Sequence, residues 1–574
     1  MKILLTSLNT KYIHSNIAIQ YLKSTVKDYY KVDTKDFTIN QNIDDIIYEI
    51  MKNDYEIIGF STYIWNVEET LKICKKIKKI KEDIIIILGG PEVSYNGEEL
   101  LKENKSIDYI ISGEGELVFF KLLNYIVNKE SILPDGILGR KNNNILGNTN
   151  YQVINDLKIS EFEYTDEHIK DKKIIYYETS RGCPYNCEFC LSSSTKKVRY
   201  FDLERCKKDI KKFIDLEVPL VKFIDRTFNY DKNRALELMK FIKENDKGVT
   251  TFHLEIHPTL IDKDYLKLFK NLRKDLFQFE IGVQSTNVKT CKAIKRVGEF
   301  EQIKKVCKEI ISYNNIHLHL DLITGLPFED YESLKKSFND ILSIRPDKLQ
   351  LGFLKVLKGS PLWYKSKEYG IIYDDDPPFE VIFTKWISYD EIQKIKLIET
   401  LVDKYYNEKY FINTFEFVVK NYYKTDFDFF EDFSNYWKKN NYYFRNHSRD
   451  NLYLIFKDFI VFKDFKYKNI LLELLIHDYI ITNKKIPYFL NPAVIENQIK
   501  HELLKNDEIL NTIGKYALGM TTKKLVKNIF ILKFKYDIID VMKNNNYYEK
   551  NCIVLYDKNN NEFYNITDYY KEII

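Results

Sequence analysis
The chain has 574 residues, a length that suggests about three domains with sizeable cores. Its 88 basic and 84 acidic residues nearly cancel, and a net charge of +4 gives no electrostatic footprint for nucleic acid. The opening run 1–5 is strand-length and turns polar at once, which excludes it as a secretory leader. The longest apolar runs, 84–88 and 470–476, are far too short to span a membrane. Eight scattered or closely grouped cysteines fit a reducing, cytoplasmic compartment.

In chain order, residues 2–7 read as a buried strand, followed by a loop to Asn16 and a helix over 17–26. Residues 57–62 repeat the strand. Residues 66–81 carry Val67, Leu71, Cys74 and Ile77 at helical spacing. The apolar strand 84–88 ends in Gly89-Gly90-Pro91-Glu92, and the next, from Tyr109, ends in Ser112-Gly113-Glu114-Gly115-Glu116 before a helix over 117–127. Alternating apolar strands and helices predict a parallel sheet covered on both faces. Ligands of such sheets bind beyond the carboxyl ends of the strands. Ser61, Thr62, Gly89, Gly90 and residues 112–115 all fall there. The expected first domain is 1–140. A linker, 141–168, begins with the polar turn of a small hairpin.

The stretch 179–190 then sets three cysteines, Cys183, Cys187 and Cys190, at C-x-x-x-C-x-x-C spacing directly after a short strand. Closely spaced thiolates on a loop hold iron–sulfur clusters. Four irons with three local thiolates leave one iron open. Zinc favours four ligands, usually in C-x-x-C pairs, and no second pair accompanies this one. Gly182 and Pro184 let the loop wrap and stiffen it. Beyond it, strand and helix signals alternate at 205–216, 220–229, 233–244, 251–256, 277–285, 317–327 and 348–353. Six strand–helix units predict a partial parallel barrel with functional groups at the strands' carboxyl ends. Glu255, Glu280, Gln284 and Asp321 are polar residues in otherwise apolar strands, where an unpaired charge is costly. Each fits either a satisfied core group or a ligand-binding one. His253, His257, His317 and His319 lie near strand ends without an assigned role, and Arg199 fits either an acidic neighbour or a ligand. This domain is expected over 169–386. The remainder, 387–574, opens on a Ser388-x-x-Glu391 capping box and is expected to be mainly helical, with helical spacing at 450–482, 495–506 and 521–530, aromatic-rich core stripes and a terminal hairpin.

The cysteine pattern resembles that of the radical S-adenosylmethionine (SAM) superfamily. That resemblance implies a [4Fe–4S] cluster on Cys183, Cys187 and Cys190 whose open iron chelates SAM. It further implies an aromatic beside adenine at Phe189, ribose recognition by Glu255, and adenine packing at Ile323 and Gly325. Phe-x-Asp-x-x-Phe at 223–228 is similar to the second-strand signature of cobalamin-dependent members, in which backbone near Asp225 holds the SAM amino group. Glu280 to Ser285, with Gln284, resembles a typical fourth strand. The first 140 residues resemble the cobalamin-binding domain fused to many of these enzymes. On that resemblance Ser61, Thr62, Gly89, Gly90, Pro91, Glu92, Ser112, Gly113, Glu114 and Gly115 line the cobalamin site. The bare alternative is a flavodoxin-like domain whose glycines are tight turns. Members that ligate cobalt from below carry Asp-x-His-x-x-Gly. Here His14 stands in the matching loop without the aspartate or the glycine, and is expected either beneath the cobalt or as a plain loop histidine.

Together these features predict an α/β chain. It has a Rossmann or flavodoxin-like cobalamin domain, a partial (β/α)6 radical SAM barrel and a mainly α carboxyl-terminal domain. The implied cofactors are the cluster, SAM and cobalamin. The implied chemistry is methylation of an unactivated carbon, with rearrangement or cyclisation, or cobalamin and SAM sensing, as alternatives. A small-molecule or peptide substrate and a flavodoxin or ferredoxin reductant are the implied partners. tRNA methylthiolation would need a further cysteine triad near the amino terminus, where only Cys74 lies.

Overall fold
The computed structural model describes the chain at all positions except 142–143, 161, 171–173, 196, 515–519, 560–561 and 574. It divides into two compact units, Met1–Ile392 and Gln393–Ile574. Each is described by itself.

The first unit opens with β1 (Lys2–Asn9), α1 (Ile17–Val26), β2 (Lys31–Thr38), α2 (Ile43–Met51), β3 (Ile57–Ser61), α3 (Val67–Ile80), β4 (Ile85–Gly89), α4 (Gly97–Glu103), β5 (Tyr109–Ile111) and α5 (Gly115–Asn128). An antiparallel hairpin follows, β6 (Ile137–Lys141) and β7 (Asn144–Gly147), whose turn at 142–143 lies outside the described residues. The sheet order is β2-β1-β3-β4-β5-β6-β7, parallel from β2 to β5. Its inner strands β3, β4 and β5 read as apolar runs because both faces are covered. Leu4, Ile58, Ile86 and Ile110 join one core, and Ile3, Ile57, Ile87 and Ile111 the other. This is the doubly wound arrangement expected from the sequence, and it puts the strand ends at Ser61, Gly89-Gly90 and Gly113 on one edge.

The second half of this unit contains α6 (Asp166–Ile169), β8 (Ile174–Tyr177), β9 (Ser180–Arg181), β10 (Arg199–Tyr200), α7 (Leu203–Asp215), β11 (Leu220–Phe223), α8 (Lys232–Asn245), β12 (Thr251–Glu255), α9 (Lys263–Phe269), β13 (Phe277–Gln284), α10 (Val288–Ala293), α11 (Phe300–Ser312), β14 (His317–Thr324), α12 (Tyr331–Leu342), β15 (Lys348–Phe353) and α13 (Pro361–Lys365). Lys173, expected to begin β8, lies outside the described residues. Six parallel strands run β15-β14-β13-β12-β11-β8, a partial barrel with free edges at β15 and β8. On β13 and β14 burial alternates strictly: Phe277, Phe279, Leu318 and Leu320 pack outward under helices, and Glu280, Gln284, His319 and Asp321 occupy the other face.

Behind the strand ends, Glu329 is buried and accepts from Ser285 Oγ at 2.6 Å and Ser337 Oγ at 3.0 Å, tying β13 to α12. Its second oxygen has no partner, and burial pushes its carboxyl up to about 7. The folded state therefore holds this proton more tightly than the unfolded chain does. That contribution to stability is intact below the ordinary carboxylate range and is lost as pH rises through about 7. Glu329→Gln is expected to gain up to about 3 kcal/mol above about pH 8 and little in mild acid. Urea unfolding at the two pH values checks this; equal gains at both would refute the assignment.

The second unit is mainly helical. Its helices include Ile412–Tyr422, Asp426–Lys439, Arg449–Lys463 and Lys468–Asn483. Tyr405, Phe411, Phe433, Trp437 and Phe456 pack against one another as buried rings, so the aromatic richness is core. The helix expected at 521–530 is shorter, Thr522–Asn528, and gives way to a strand, Ile529–Tyr536. That strand pairs with Glu549–Asp557, which pairs in turn with Glu562–Asn565 as the terminal hairpin, its turn at 560–561 lying outside the described residues. Among the described residues no helix is long and apolar enough to cross a membrane.

Candidate active site
The cysteine loop is closed at its base by a two-stranded ladder. Arg181 pairs with Arg199 and Ser180 with Tyr200. Below the ladder, Asp225 is fully buried just past β11. It accepts from Thr179 N at 2.9 Å, from Ser180 Oγ at 2.6 Å and from Thr179 Oγ1. Gly182 sits at φ +92, and a Cβ there would lie 2.4 Å from Lys197 O, so the turn into Cys183 admits only glycine. Farther along, Glu188 is fully buried between Lys295 at 2.6 Å and Lys365 at 3.0 Å. Burial works against its charge, but the two ammonium groups outweigh it and hold the carboxyl below the usual range. Its backbone bonds Ile294 O and Leu362 N, fixing the loop's far side as well.

Thr227 Oγ1 lies 3.6 Å from Cys183 Sγ, and Arg296 Nη1 donates to Cys187 Sγ at 3.8 Å. Burial pushes the Cys187 thiol up, and the Arg296 guanidinium opposes that. Among the described residues no three His, Cys, Asp or Glu side chains converge as ligands of a single ion. A cluster in which each thiolate takes a different iron asks for wider spacing than one zinc does. The donor set of three thiols with no fourth ligand fits the cluster.

Above the barrel, Glu255 ends β12 and Arg226 follows β11 into the cavity. Burial pushes the Glu255 carboxyl up, and the Arg226 charge pulls it back down. Gln284 stands at φ 72, where the β13–β14 register shifts, and its Oε1 is buried without a partner. Asp321 Oδ1 on β14 is likewise without a partner. Burial and the neighbouring Glu280 and Glu255 raise its carboxyl to about 8. The orphaned Gln284 oxygen can accept from a ligand hydroxyl, and the Asp321 carboxyl, protonated at neutral pH, can both give to and accept from one, which fits a ligand such as the ribose of SAM. Arg296 also donates to Gly282 O, and Arg226 lines the cavity. Phe189 is half-buried beside Cys190, Ile323 is on the lumen side of β14, and Gly325 follows that strand.

Opposite the loop is a cavity of about 580 Å³. One wall is Cys190, Leu191, Ser192, Arg181 and Arg226. The other is Ser61, the Gly89–Glu92 stretch and the Gly113–Glu116 turn, with an apolar floor of Leu5, Ile87, Ile111 and Phe119 between the strand ends. At Gly90, φ is +115 and a Cβ would meet Thr62 O at 2.4 Å. That apolar slot among small residues fits the tail of a corrinoid.

Several expected residues are placed differently. Thr62 and Ser112 are fully buried framework: Thr62 N donates to Gly89 O at 2.7 Å and Ser112 Oγ to Ser94 O at 3.2 Å, and neither lines the cavity. His14 does not line it either. Its Nδ1 is 2.7 Å from Tyr176 Oη, a contact that a plain loop histidine and a ring oriented to ligate through Nε2 both make. Glu114 lines the cavity, but its carboxylate is held by Arg199 at 2.7 and 2.8 Å, and Glu92 pairs with Lys358 at 3.2 Å. Asp225 faces the loop base, not the cavity. Tyr63, Ile64, Trp65, Arg226 and Lys358 line the cavity without having been expected there. Arg296 was hidden in a charged run, Lys292 to Arg296, that reads as solvated surface.

This fold and site define a cobalamin-binding-domain-containing radical SAM enzyme, whose cofactors are a [4Fe–4S] cluster, SAM and cobalamin. Family models match as "B12 binding domain" over residues 3–123, "Radical SAM superfamily" over 177–341 and "Protein of unknown function (DUF4080)" over 367–556.

Among similar proteins, an uncharacterized methyltransferase of Pyrococcus horikoshii is 24% identical over 404 residues, 66% of this chain and 83% of that one. The cobalamin-dependent radical SAM methyltransferase TokK of Streptomyces tokunonensis is 24% identical over 342 residues, 55% of this chain. The chain spans 49% of TokK and 45% of a carbapenam methyltransferase of Streptantibioticus cattleyicolor, about half of each. Among solved structures, OxsB with aqua-cobalamin and SAM superposes with TM-score 0.58 at 17% identity, over 84% of this chain and 79% of that one. TsrM of Kitasatospora setae, with tryptophan and a SAM analogue, gives 0.56 at 14%, over 66% and 80%. At these identities the superpositions speak for the fold.

Proposed function
We propose that this enzyme transfers a methyl group to an unactivated carbon. The observation that carries the reading is the single cavity walled by the cysteine loop on one side and the cobalamin-domain strand ends on the other. When bound, the cluster and SAM supply a hydrogen-abstracting 5′-deoxyadenosyl radical, and cobalamin supplies a transferable methyl group. The chain's own part is to hold and enclose. Gln284, Asp321 and Glu255 would orient the ribose. Arg226 and Arg296 would neutralise the SAM carboxylate. The apolar cavity floor would take the corrinoid tail, and the facing walls would enclose the reacting groups between them. A low-potential flavodoxin or ferredoxin would supply electrons, and a small molecule or peptide would accept the methyl group.

The test needs no substrate. Anaerobic protein loaded with cobalamin, reduced, and given methyl-labelled SAM is expected to form S-adenosylhomocysteine in proportion to bound cobalamin, alongside 5′-deoxyadenosine. Formation of 5′-deoxyadenosine with no S-adenosylhomocysteine would favour rearrangement over methylation.

A further inference from the structure
Three carboxylates on the cavity's cobalamin wall do not face the cavity ligand alone. Each pairs with a cation of the barrel half. Glu114, in the turn before α5, makes a two-pronged pair with Arg199 at 2.7 and 2.8 Å. Glu116, in the first turn of α5, meets Arg181 at 2.7 Å, and Arg181 Nε also donates to Glu178 at 2.9 Å. Glu92, directly after Gly89-Gly90-Pro91, meets Lys358 at 3.2 Å. The side chains of Arg199 and Glu114 are 4% and 14% exposed and those of Arg181 and Glu116 10% and 6%, so water screens these two pairs little, while Lys358, at 26%, leaves the Glu92 pair more open to solvent.

The placement of the partners is what matters. Arg181 and Arg199 oppose each other on the ladder that closes the cysteine loop, one on each side of Cys183, Cys187 and Cys190 in the chain. The three glutamates lie within one or two residues of Gly90, Gly113 and Gly115, which line the cobalamin wall. The Glu114 and Glu116 pairs thus join the cobalamin wall to the base of the cysteine loop, and the Glu92 pair joins that wall to the loop after β15. A guanidinium bonded through two nitrogens fixes orientation as well as distance. Arg181 is further held over the Tyr21 ring at 4.9 Å, and Glu114 Oε2 accepts from Ile154 N at 2.8 Å, so neither end of the clasp is free to swing.

We infer that Glu92, Glu114 and Glu116, through Lys358, Arg199 and Arg181, are positioning residues that set the separation and tilt of the cobalamin wall relative to the cluster loop. They act through the loops and do not hold the corrin.

Glu114→Gln, Glu116→Gln and their double variant, loaded with cobalamin and cluster, are compared with the parent by pulsed electron paramagnetic resonance between Co(II) and the reduced cluster. The parent should give one narrow distance. The variants should keep their iron, bind cobalamin within about tenfold of the parent's Kd, and show a broadened or shifted distance, most in the double variant. Arg199→Lys keeps the charge without the fork and should broaden the distance less than Glu114→Gln. Should Glu114→Gln fail to fold, Lys358→Met releases the separate Glu92 contact and is read the same way. An unchanged distance in every folded variant would overturn the inference. So would a loss of cobalamin affinity well beyond that margin with an unchanged distance, which would return the carboxylates to the corrin.

Discussion
Alanine at any one of Cys183, Cys187 or Cys190 is expected to strip the iron and reduce SAM cleavage to background while leaving the chain folded. Each thiolate of a three-cysteine loop takes a different iron. Removing one exposes two irons, and the cluster is lost as a unit, not weakened by a third. The fold should tolerate the change because Cys183 and Cys190 are only half-buried and the loop is secured elsewhere. Asp225 fixes its base, and Glu188 fixes its far side. Stability of the metal-free Cys183→Ala and Cys190→Ala chains should stay within about 0.5 kcal/mol of the parent. Iron analysis, chromatography of 5′-deoxyadenosine and urea unfolding read the three quantities. A variant that keeps its iron would show that the thiolate concerned is not a ligand.

Asp225→Ala should show the converse, a loss of both fold and iron. One fully buried carboxylate satisfies a backbone N–H and two hydroxyls at the root of the cysteine loop. Removing it leaves three donors without an acceptor, and an expected cost of about 3–5 kcal/mol follows. The loop root then frays, and reconstitution should yield substoichiometric iron. Asp225→Asn keeps the shape but offers one acceptor instead of two, so it should fall between. Parent-like stability and iron in Asp225→Ala would remove the residue from this role.

Much of the fold was legible because parallel strands buried on both faces read as unbroken apolar runs. β3, β4 and β14 are such runs or strict alternations. β2 escaped for the opposite reason. Lys-Val-Asp-Thr-Lys-Asp-Phe-Thr lies at the sheet edge, half exposed, and its charges mask the strand. The strand Ile529–Tyr536 was missed because the helical spacing at 521–530 ran into its first two residues, and its own alternation at Lys533 and Lys535 spans only a few positions. Of the site, the cysteine loop was legible because its ligands are local. What the glutamates do was not. Glu114 sits in a glycine-rich strand end that suggests a cofactor, and its partner Arg199 is 85 residues away. Arg296 reaches Cys187 across 109 residues from a run of lysines and arginine that reads as surface. Asp225 looked like part of a signature for backbone contact; only its burial reveals that the side chain holds the loop.

On this structure three thiolates would hold iron with one coordination position left to SAM, across a cavity from a corrin. Anaerobically reconstituted protein, reduced and examined by electron paramagnetic resonance before and after SAM, tests it most directly. Such ligation predicts about four irons per chain and a cluster signal that shifts when SAM is added. A colourless protein holding a single zinc ion, or a cluster signal indifferent to SAM, would contradict it.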